Sequence, residues 1–212
     1  MSEIIFLSNV RLSFPKLVEA AQQPQFPNSP KKYSADLILT PDSNDYKLFM
    51  QEVGNIATAK WKDQAGAILQ MIQGDRRLRC YGTGAEKLDK NTMRPYVGYE
   101  GMLYITTSAD EEHAPVIIRE NGSEIANSNT LERQTAARKL YGGCYVNAAV
   151  RPWAQDNQFG RAVRCQLIAV QFSKNGDAFG EAPPDLAGKF GAIPQEQGAP
   201  APSGMPSWMP QV

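Results

Sequence analysis

The chain has 212 residues, 42% of them hydrophobic, with 22 basic and 22 acidic side chains. This length suits one domain with a sizeable core, or one domain with appendages. The zero formal charge excludes a protein that holds nucleic acid through a large total charge. It leaves room for a local basic stripe, because binding responds to the field at the groove.

The first predicted strand covers residues 4–14 and ends at Pro15. Its apolar side comprises Val10, Leu12 and Phe14, and its polar side comprises Arg11 and Ser13. Residues 33–40 repeat this alternation and predict a second strand. A helix start at residues 41–43 and apolar residues at helical spacing then predict a helix to about Trp61, with a second short helix over residues 64–71.

The middle of the chain predicts a strand over residues 76–81, a basic loop over 82–95 and a strand over 101–108. A polar excursion follows, with a hairpin tip at 120–122 and a short helix at 130–140. Two cleanly alternating stretches, 142–153 and 161–172, predict the last two strands. In the first of these, Tyr145, Arg151 and Trp153 share the side opposite to an apolar face.

These elements predict a mainly β protein with inserted helices, of the α+β class. Strands without βαβ alternation favour a small closed or partly open β-barrel over a parallel sheet. Among such barrels, the five-stranded OB-fold is a frequent host for oligonucleotides, an argument by analogy of fold. Residues 1–180 would form this domain. Residues 181–212 are rich in Pro, Gly and Ala, lack apolar periodicity and predict a disordered tail.

Catalytic or metal-binding residues are sparse in the sequence. The only histidine, His113, lies in a polar segment without a second histidine or a cysteine nearby. The three cysteines, Cys80, Cys144 and Cys165, are widely spaced within apolar patterns and indicate buried, reduced thiols. No glycine-rich segment has the spacing of a phosphate-binding loop. We expect no enzyme, no metal and no cofactor.

The N-terminus lacks the basic region of a signal peptide, and no apolar run reaches about 18 residues. These features predict a cytoplasmic protein.

Aromatic and basic residues share predicted solvent faces in three stretches, which is the combination that single-stranded nucleic acid requires. We expect these stretches to merge into one groove, with an exposed ring at the tip of the last hairpin. The candidate DNA-binding residues are Arg77, Arg79, Tyr81, Lys87, Lys90, Arg94, Tyr96, Tyr145, Arg151, Trp153, Phe159, Arg161 and Arg164. The alternative is that Arg and Tyr on strand exteriors are simply good strand formers with solvated polar ends.

The sequence also resembles a family of tailed-phage single-stranded-DNA-binding proteins. The resemblance rests on residues 140–147, on Gly160 leading into residues 165–172, and on residues 177–180. Residues 9–15 and 33–39 are similar to the family's first two strands. The likeness covers most of residues 1–180.

The resemblance implies an OB-fold distantly related to the replication single-strand binders of other phages. It implies a protein that coats exposed strands during phage DNA replication, recombination or repair, in the cytoplasm of the infected bacterium. Unlike many proteins of this functional class, the chain has few acidic residues in its tail. An apolar tip with Trp208 and Met209 could instead dock on replication or recombination proteins. The rival hypothesis is a phage structural or adaptor β-barrel that binds protein.

Overall fold

The computed structural model describes residues 2–22 and 29–180 of the protein. Its strands are β1 (Ile5–Ala21), β2 (Lys32–Leu39), β3 (Tyr81–Thr83), β4 (Leu103–Asp110), β5 (Val116–Ile118), β6 (Glu124–Ile125), β7 (Tyr145–Asn157) and β8 (Gly160–Lys174). Its helices are α1 (Asn44–Trp61), α2 (Ala65–Gln73) and α3 (Thr130–Ala137). The predicted mainly β class with inserted helices is confirmed.

The strands form one sheet in the order β3-β4-β2-β1-β7-β8-β5-β6. β1 pairs antiparallel with β2 and with β7, β2 pairs antiparallel with β4, and β7 pairs antiparallel with β8. β4 also pairs with β8, in parallel, at Ser108 and Gln166. The pairings of β1, β2, β4, β8 and β7 therefore form a continuous circuit.

The core lies on one side of these strands, where alternate residues point inwards. Leu37 and Ile105 are fully buried in this core, whereas their strand neighbours Ile38 and Tyr104 point to the other side and form a second, smaller buried cluster with Tyr99. Helix α1 adds Phe49 and Val53 to the same cluster. Burying each such side chain contributes roughly 1.5–3 kcal/mol. Cys80, Cys144 and Cys165 are all buried and free, as predicted.

Helix α1 begins and ends close to the predicted positions. The Ser43 hydroxyl caps the helix by accepting a hydrogen bond from the backbone N–H of Tyr46. The helix ends at Trp61, which is buried and whose Nε1 donates to Oδ2 of Asp156 at 3.0 Å. Trp61 thus anchors the helix to the end of β7.

The path of β1 differs from the prediction. The strand continues past Pro15 to Ala21, and its pairing with β2 shifts register between Ser13 and Lys16. Phe14 lies at this bulge with φ of 47° and is 49% exposed, whereas Ser13 is buried. A bulge inserts a residue and so reverses which side chains face the core. Phe14, which was predicted to point inwards, therefore points outwards, and Ser13, which was predicted to point outwards, is buried.

The predicted strand over residues 76–81 is wrong. Residues Arg76–Leu78 form a 3₁₀ turn, because the Asp75 side chain accepts from the Arg77 backbone N–H and caps the turn. The strand begins only at Tyr81. The final hairpin forms over the predicted stretches, and β7 alternates as predicted from Val150 to Trp153. Its pairing shifts register between Tyr145 and Val146 and between Ala149 and Val150, and Ala149, predicted to point outwards, is buried.

Of the three helices in the described ranges, none is both long enough and apolar enough to cross a membrane. The predicted tail at residues 181–212, including Trp208 and Met209, lies outside the described residues.

Candidate nucleic-acid interface

The outer face of the β7–β8 hairpin brings together an aromatic ring and two guanidinium groups. Trp153 pairs with Arg164, and Arg151 pairs with Gln166. Residues directly opposite in an antiparallel pair share a face. The residues between them, Pro152 and its partner Cys165, are buried. Trp153, at 42% exposure, therefore projects outwards because the alternation of β7 places it there.

Both guanidinium groups on this face are free to meet an anion. Within the described ranges, no carboxylate lies within 4.0 Å of a nitrogen of Arg151 or Arg164. Arg164 donates from Nη1 to the Arg77 carbonyl at 2.8 Å and from Nε to Gln155 Oε1 at 3.3 Å. These bonds fix the orientation of Arg164 and leave its positive charge uncompensated. The Nε atom of Arg151 is buried and has no hydrogen-bond partner.

Two more predicted residues border this face. Arg77 is joined to Asp75 by a bidentate ion pair, and its hydrogen bonds lower the pKa of the Asp75 carboxyl to about 2. Phe159, in the turn between β7 and β8, is 78% exposed. The hairpin interface, defined as Arg77, Arg151, Trp153, Phe159 and Arg164, thus brings together five of the predicted residues.

Arg161 does not lie on this face, contrary to the prediction. It pairs with Asp156, and because successive residues of a strand point to opposite sides, it lies on the side opposite to Trp153. Its Nε lies 3.5 Å from Asp156 Oδ2, and its Nη1 donates to Gln64 Oε1 at 3.3 Å.

A cavity of about 340 Å³ opens beside Trp153, where β4 meets β8. Its lining residues are Lys32, Ser108, Ala109, Asp110, His113, Arg151, Trp153 and Gln166. We call this space the junction cavity. Trp153 also borders a second cavity of about 470 Å³, which Glu3, Glu52 and Lys60 help to line. The indole therefore stands between a basic recess and one that contains two carboxylates.

Arg79 and Tyr81 do not belong to the interface, although they were predicted to lie on the solvent-exposed face of a strand. Arg79 is 9% exposed and donates to the Tyr81 carbonyl at 2.5 Å and to Glu86 Oε2 at 2.8 Å. Tyr81 is 4% exposed and packs edge-on against Phe49. Burial raises the pKa of the Tyr81 hydroxyl. The 3₁₀ turn changes the phase of the segment, so both side chains point inwards.

Lys87 was predicted to be a free cation in the basic loop, but it forms contacts within the protein. Its Nζ lies 2.7 Å from Oδ2 of the buried Asp36 and 4.4 Å from the ring centroid of Tyr104. The Tyr99 hydroxyl donates to the same carboxylate oxygen at 2.7 Å. Burial raises the pKa of Tyr104 to about 12. This buried network ties the basic loop to the outer face of β2 and β4.

The remaining predicted residues form a second region, centred on the same loop and on the start of β7. Lys90 and Arg94 are exposed, and Tyr96 is half-buried with its ring 5.0 Å from that of Phe14. Tyr145 is half-buried between two cations, with the Arg11 guanidinium 5.5 Å and the Lys174 ammonium 4.7 Å from its ring centroid. The three predicted stretches thus form two regions in the structure.

Sequence reasoning missed several accessible residues. Phe14 and Phe6 are 49% and 71% exposed, yet both lie in β1, whose pairing shifts register at three places. Ser108 and Gln166 line the junction cavity, but polar residues on a strand exterior give no sequence signal of their own. The pairing of β4 with β8, which brings them together, is a long-range contact that periodicity cannot reveal.

Within residues 2–22 and 29–180, no group of three or more His, Cys, Asp or Glu side chains is placed to hold a metal ion.

The sequence and the fold of the chain are similar to those of known proteins. The sequence model of the family described as "Enterobacter phage Enc34, ssDNA-binding protein" matches residues 3–199. Protein p50 of Acyrthosiphon pisum secondary endosymbiont phage 1 is 31% identical over 180 residues, which cover 82% of this chain and 85% of that protein.

Two solved structures of the single-stranded DNA-binding protein from bacteriophage Enc34 are similar in fold. The one in complex with ssDNA has a TM-score of 0.62 at 23% identity, covering 84% of this chain and 89% of the other. A second structure of the same protein has a TM-score of 0.60 at 23% identity, covering 87% of this chain and 88% of the other. The alternative of a structural or adaptor barrel finds no support among these relatives.

Proposed function

The chain belongs to the Enc34 family of phage ssDNA-binding proteins, and on this premise we propose that it binds single-stranded DNA through the hairpin interface. The observation that carries the proposal is the outward Trp153 flanked by the uncompensated charges of Arg151 and Arg164. A ring of this kind stacks on a base and is worth roughly 1–3 kcal/mol. The guanidinium groups attract the phosphates on either side.

The proposed binding is largely independent of base sequence. Every base has a π face, so stacking on Trp153 or Phe159 does not select among bases. Phosphates are the same along the strand, so Arg77, Arg151 and Arg164 contribute affinity without selection. A duplex hides its base faces within the stack, and so offers nothing to the exposed rings. Single strands are therefore preferred.

We further propose that residues 1–180 form a five-stranded OB-fold barrel. The circuit of β1, β2, β4, β8 and β7 supports this assignment. In this circuit β1 pairs with β2 and β2 pairs with β4, so the first three strands along the chain are neighbours. The third strand, β4, pairs in parallel with the last strand, β8. Strands β3, β5 and β6 are then additions to the barrel. OB-folds bind oligonucleotides on their outer strand faces and adjoining loops.

The loop residues Lys90, Arg94 and Tyr96, together with Tyr145, are proposed as a second contact region. Lys90 and Arg94 are exposed cations, which supports phosphate contacts at a distance from Trp153, and the half-buried rings of Tyr96 and Tyr145 add aromatic surface. A strand that reaches both regions would occupy several nucleotides, within the range of about 4–16 per OB-fold.

The proposed biological role is to coat and protect exposed strands during phage DNA replication, recombination or repair. The protein would act in the cytoplasm of the infected bacterium, by binding alone and without catalysis. A contact of Trp208 and Met209 with replication or recombination proteins stays a prediction, since both residues lie outside the described ranges.

The proposal is tested by fluorescence anisotropy of a labelled oligothymidylate at low and moderate salt, with a duplex of equal length as competitor. We expect tight binding that weakens as salt rises and that the duplex competes for poorly. No binding at low salt would remove the function and favour a protein-binding barrel. Equal competition by the duplex would remove the single-strand preference.

A further inference from the structure

We propose that the junction cavity is a subsite for one nucleotide of the bound strand, in which the base stacks on Trp153 and its polar edge meets Gln166 and Ser108. This inference rests on the proposed single-strand binding and identifies where one base is held. It also assigns a role to residues that the sequence did not single out.

Polar side chains without partners in the protein converge on the cavity. Within the described ranges, the side chains of Ser108 and Gln166 make no hydrogen bond to another residue, and both are half-buried at the cavity wall. Their polar atoms are therefore available to a ligand. A recess with a few convergent polar groups is typical of a binding site.

The lining of the junction cavity is chemically complementary to a nucleotide. The Gln166 amide offers a donor and an acceptor, and the Ser108 hydroxyl offers either. A rotated amide presents the same two groups in reverse order, so this pair can meet the polar edges of different bases. The indole of Trp153 supplies the stacking surface. The subsite therefore requires a base but does not select one, in agreement with sequence-independent binding.

The charge around the cavity favours a phosphate at its rim. Lys32 and Arg151 are cationic, and the one carboxylate in the lining, Asp110, lies 3.5 Å from the Lys32 ammonium. The lining thus has a positive balance even with His113 neutral. A phosphate at its rim is attracted, while the base enters between Trp153 and Gln166. The cavity volume of about 340 Å³ is near the lower limit of small-ligand sites, which suits a single nucleotide.

The test uses the shortest oligothymidylate that the full chain binds at full affinity, so that one register dominates. A single abasic site is moved along this oligonucleotide, and affinity is measured by anisotropy for each position. We expect one position at which loss of the base weakens binding about tenfold. The variants Gln166→Leu and Ser108→Ala should each bind the intact oligonucleotide more weakly and show a reduced penalty at that position. Gln51→Leu, on the exposed surface of α1, is the matched control and should keep the full penalty.

Each outcome decides a different point. If both cavity variants keep the full wild-type penalty, or if no position shows a penalty, the nucleotide subsite is refuted while single-strand binding stands. If the wild-type protein binds no oligothymidylate at all, the proposed function fails and the subsite fails with it. Two cavity variants are used so that poor folding of one leaves the other to decide.

Discussion

Trp153 and Arg164 lie directly opposite each other on the outer face of the β7–β8 hairpin. Opposed residues have Cβ atoms about 4.5–5.5 Å apart. The Arg164 guanidinium is oriented by its hydrogen bond to the Arg77 carbonyl. The Trp153 indole points outwards because of its position in the alternation of β7. A surface for a base and a fixed cation for a phosphate thus stand side by side, which is the smallest unit that can hold one nucleotide of a single strand.

The first prediction concerns the ring. Trp153→Ala should weaken binding of oligothymidylate by roughly 5- to 150-fold, because one base loses a stacking partner worth about 1–3 kcal/mol. The measurement is the dissociation constant by anisotropy, with circular dichroism to check the fold. Leu131→Ala, which removes a 76% exposed side chain from α3, should leave affinity unchanged. Equal affinities of wild type and Trp153→Ala would exclude the indole from the interface.

The second prediction separates two arginines that the sequence could not distinguish. Arg79→Met should lower the free energy of unfolding by about 3 kcal/mol, because it leaves Glu86 and the Tyr81 carbonyl without a buried partner. Arg77→Met, at an 84% exposed side chain, should change stability by less than about 0.5 kcal/mol. Urea denaturation of both variants decides the matter. Similar stabilities would show that the buried contacts of Arg79 do not stabilise the fold.

The sequence predicted correctly those features whose side-chain directions follow from the regular repeat of a single strand or helix. The alternation of β7 placed Arg151 and Trp153 on one outer face, and helical spacing ended α1 at Trp61. Such patterns work because side-chain direction follows from the regular repeat of the element. Where the repeat was regular, the sequence predicted both the element and its exposed face.

The failures arose where the repeat was broken or where contacts were long-range. A bulge turned Phe14 outwards, and a capped turn changed the phase of Arg79. One-residue shifts of this kind reverse every subsequent side chain. The junction cavity depends on a pairing between Ser108 and Gln166, 58 positions apart by their numbers, which no local pattern encodes.

The third prediction concerns alkaline pH. Burial raises the pKa of Tyr104 from an ordinary value of 10.0 to about 12 in the folded protein. Stability from its neutral form is therefore complete below pH 10 and is lost between about pH 10 and 12. The loss from this residue is on the order of 1 kcal/mol at pH 11. Urea denaturation at pH 9 and pH 11 should show a smaller loss for Tyr104→Phe than for wild type. An identical loss in both would place the titration elsewhere.

The fourth prediction is that Arg151 and Arg164 determine part of the salt dependence. Each phosphate neutralised on a single strand contributes about 0.7 to the slope of log affinity against log salt concentration. Arg151→Gln and Arg164→Gln should each reduce this slope by about 0.7 and weaken binding at low salt. The control is Arg138→Gln, at an exposed residue just after α3, because it has the same net charge as the two hairpin variants.

The comparison of these three variants separates local contacts from total charge. All three remove one positive charge, so an effect of net charge alone would lower the slope equally in each. We expect Arg138→Gln to keep the wild-type slope, because affinity for a single strand depends on cations within reach of its phosphates. Equal slopes for Arg138→Gln and the two hairpin variants would contradict a defined groove. They would instead indicate that the strand samples the whole surface of a protein whose formal net charge is zero.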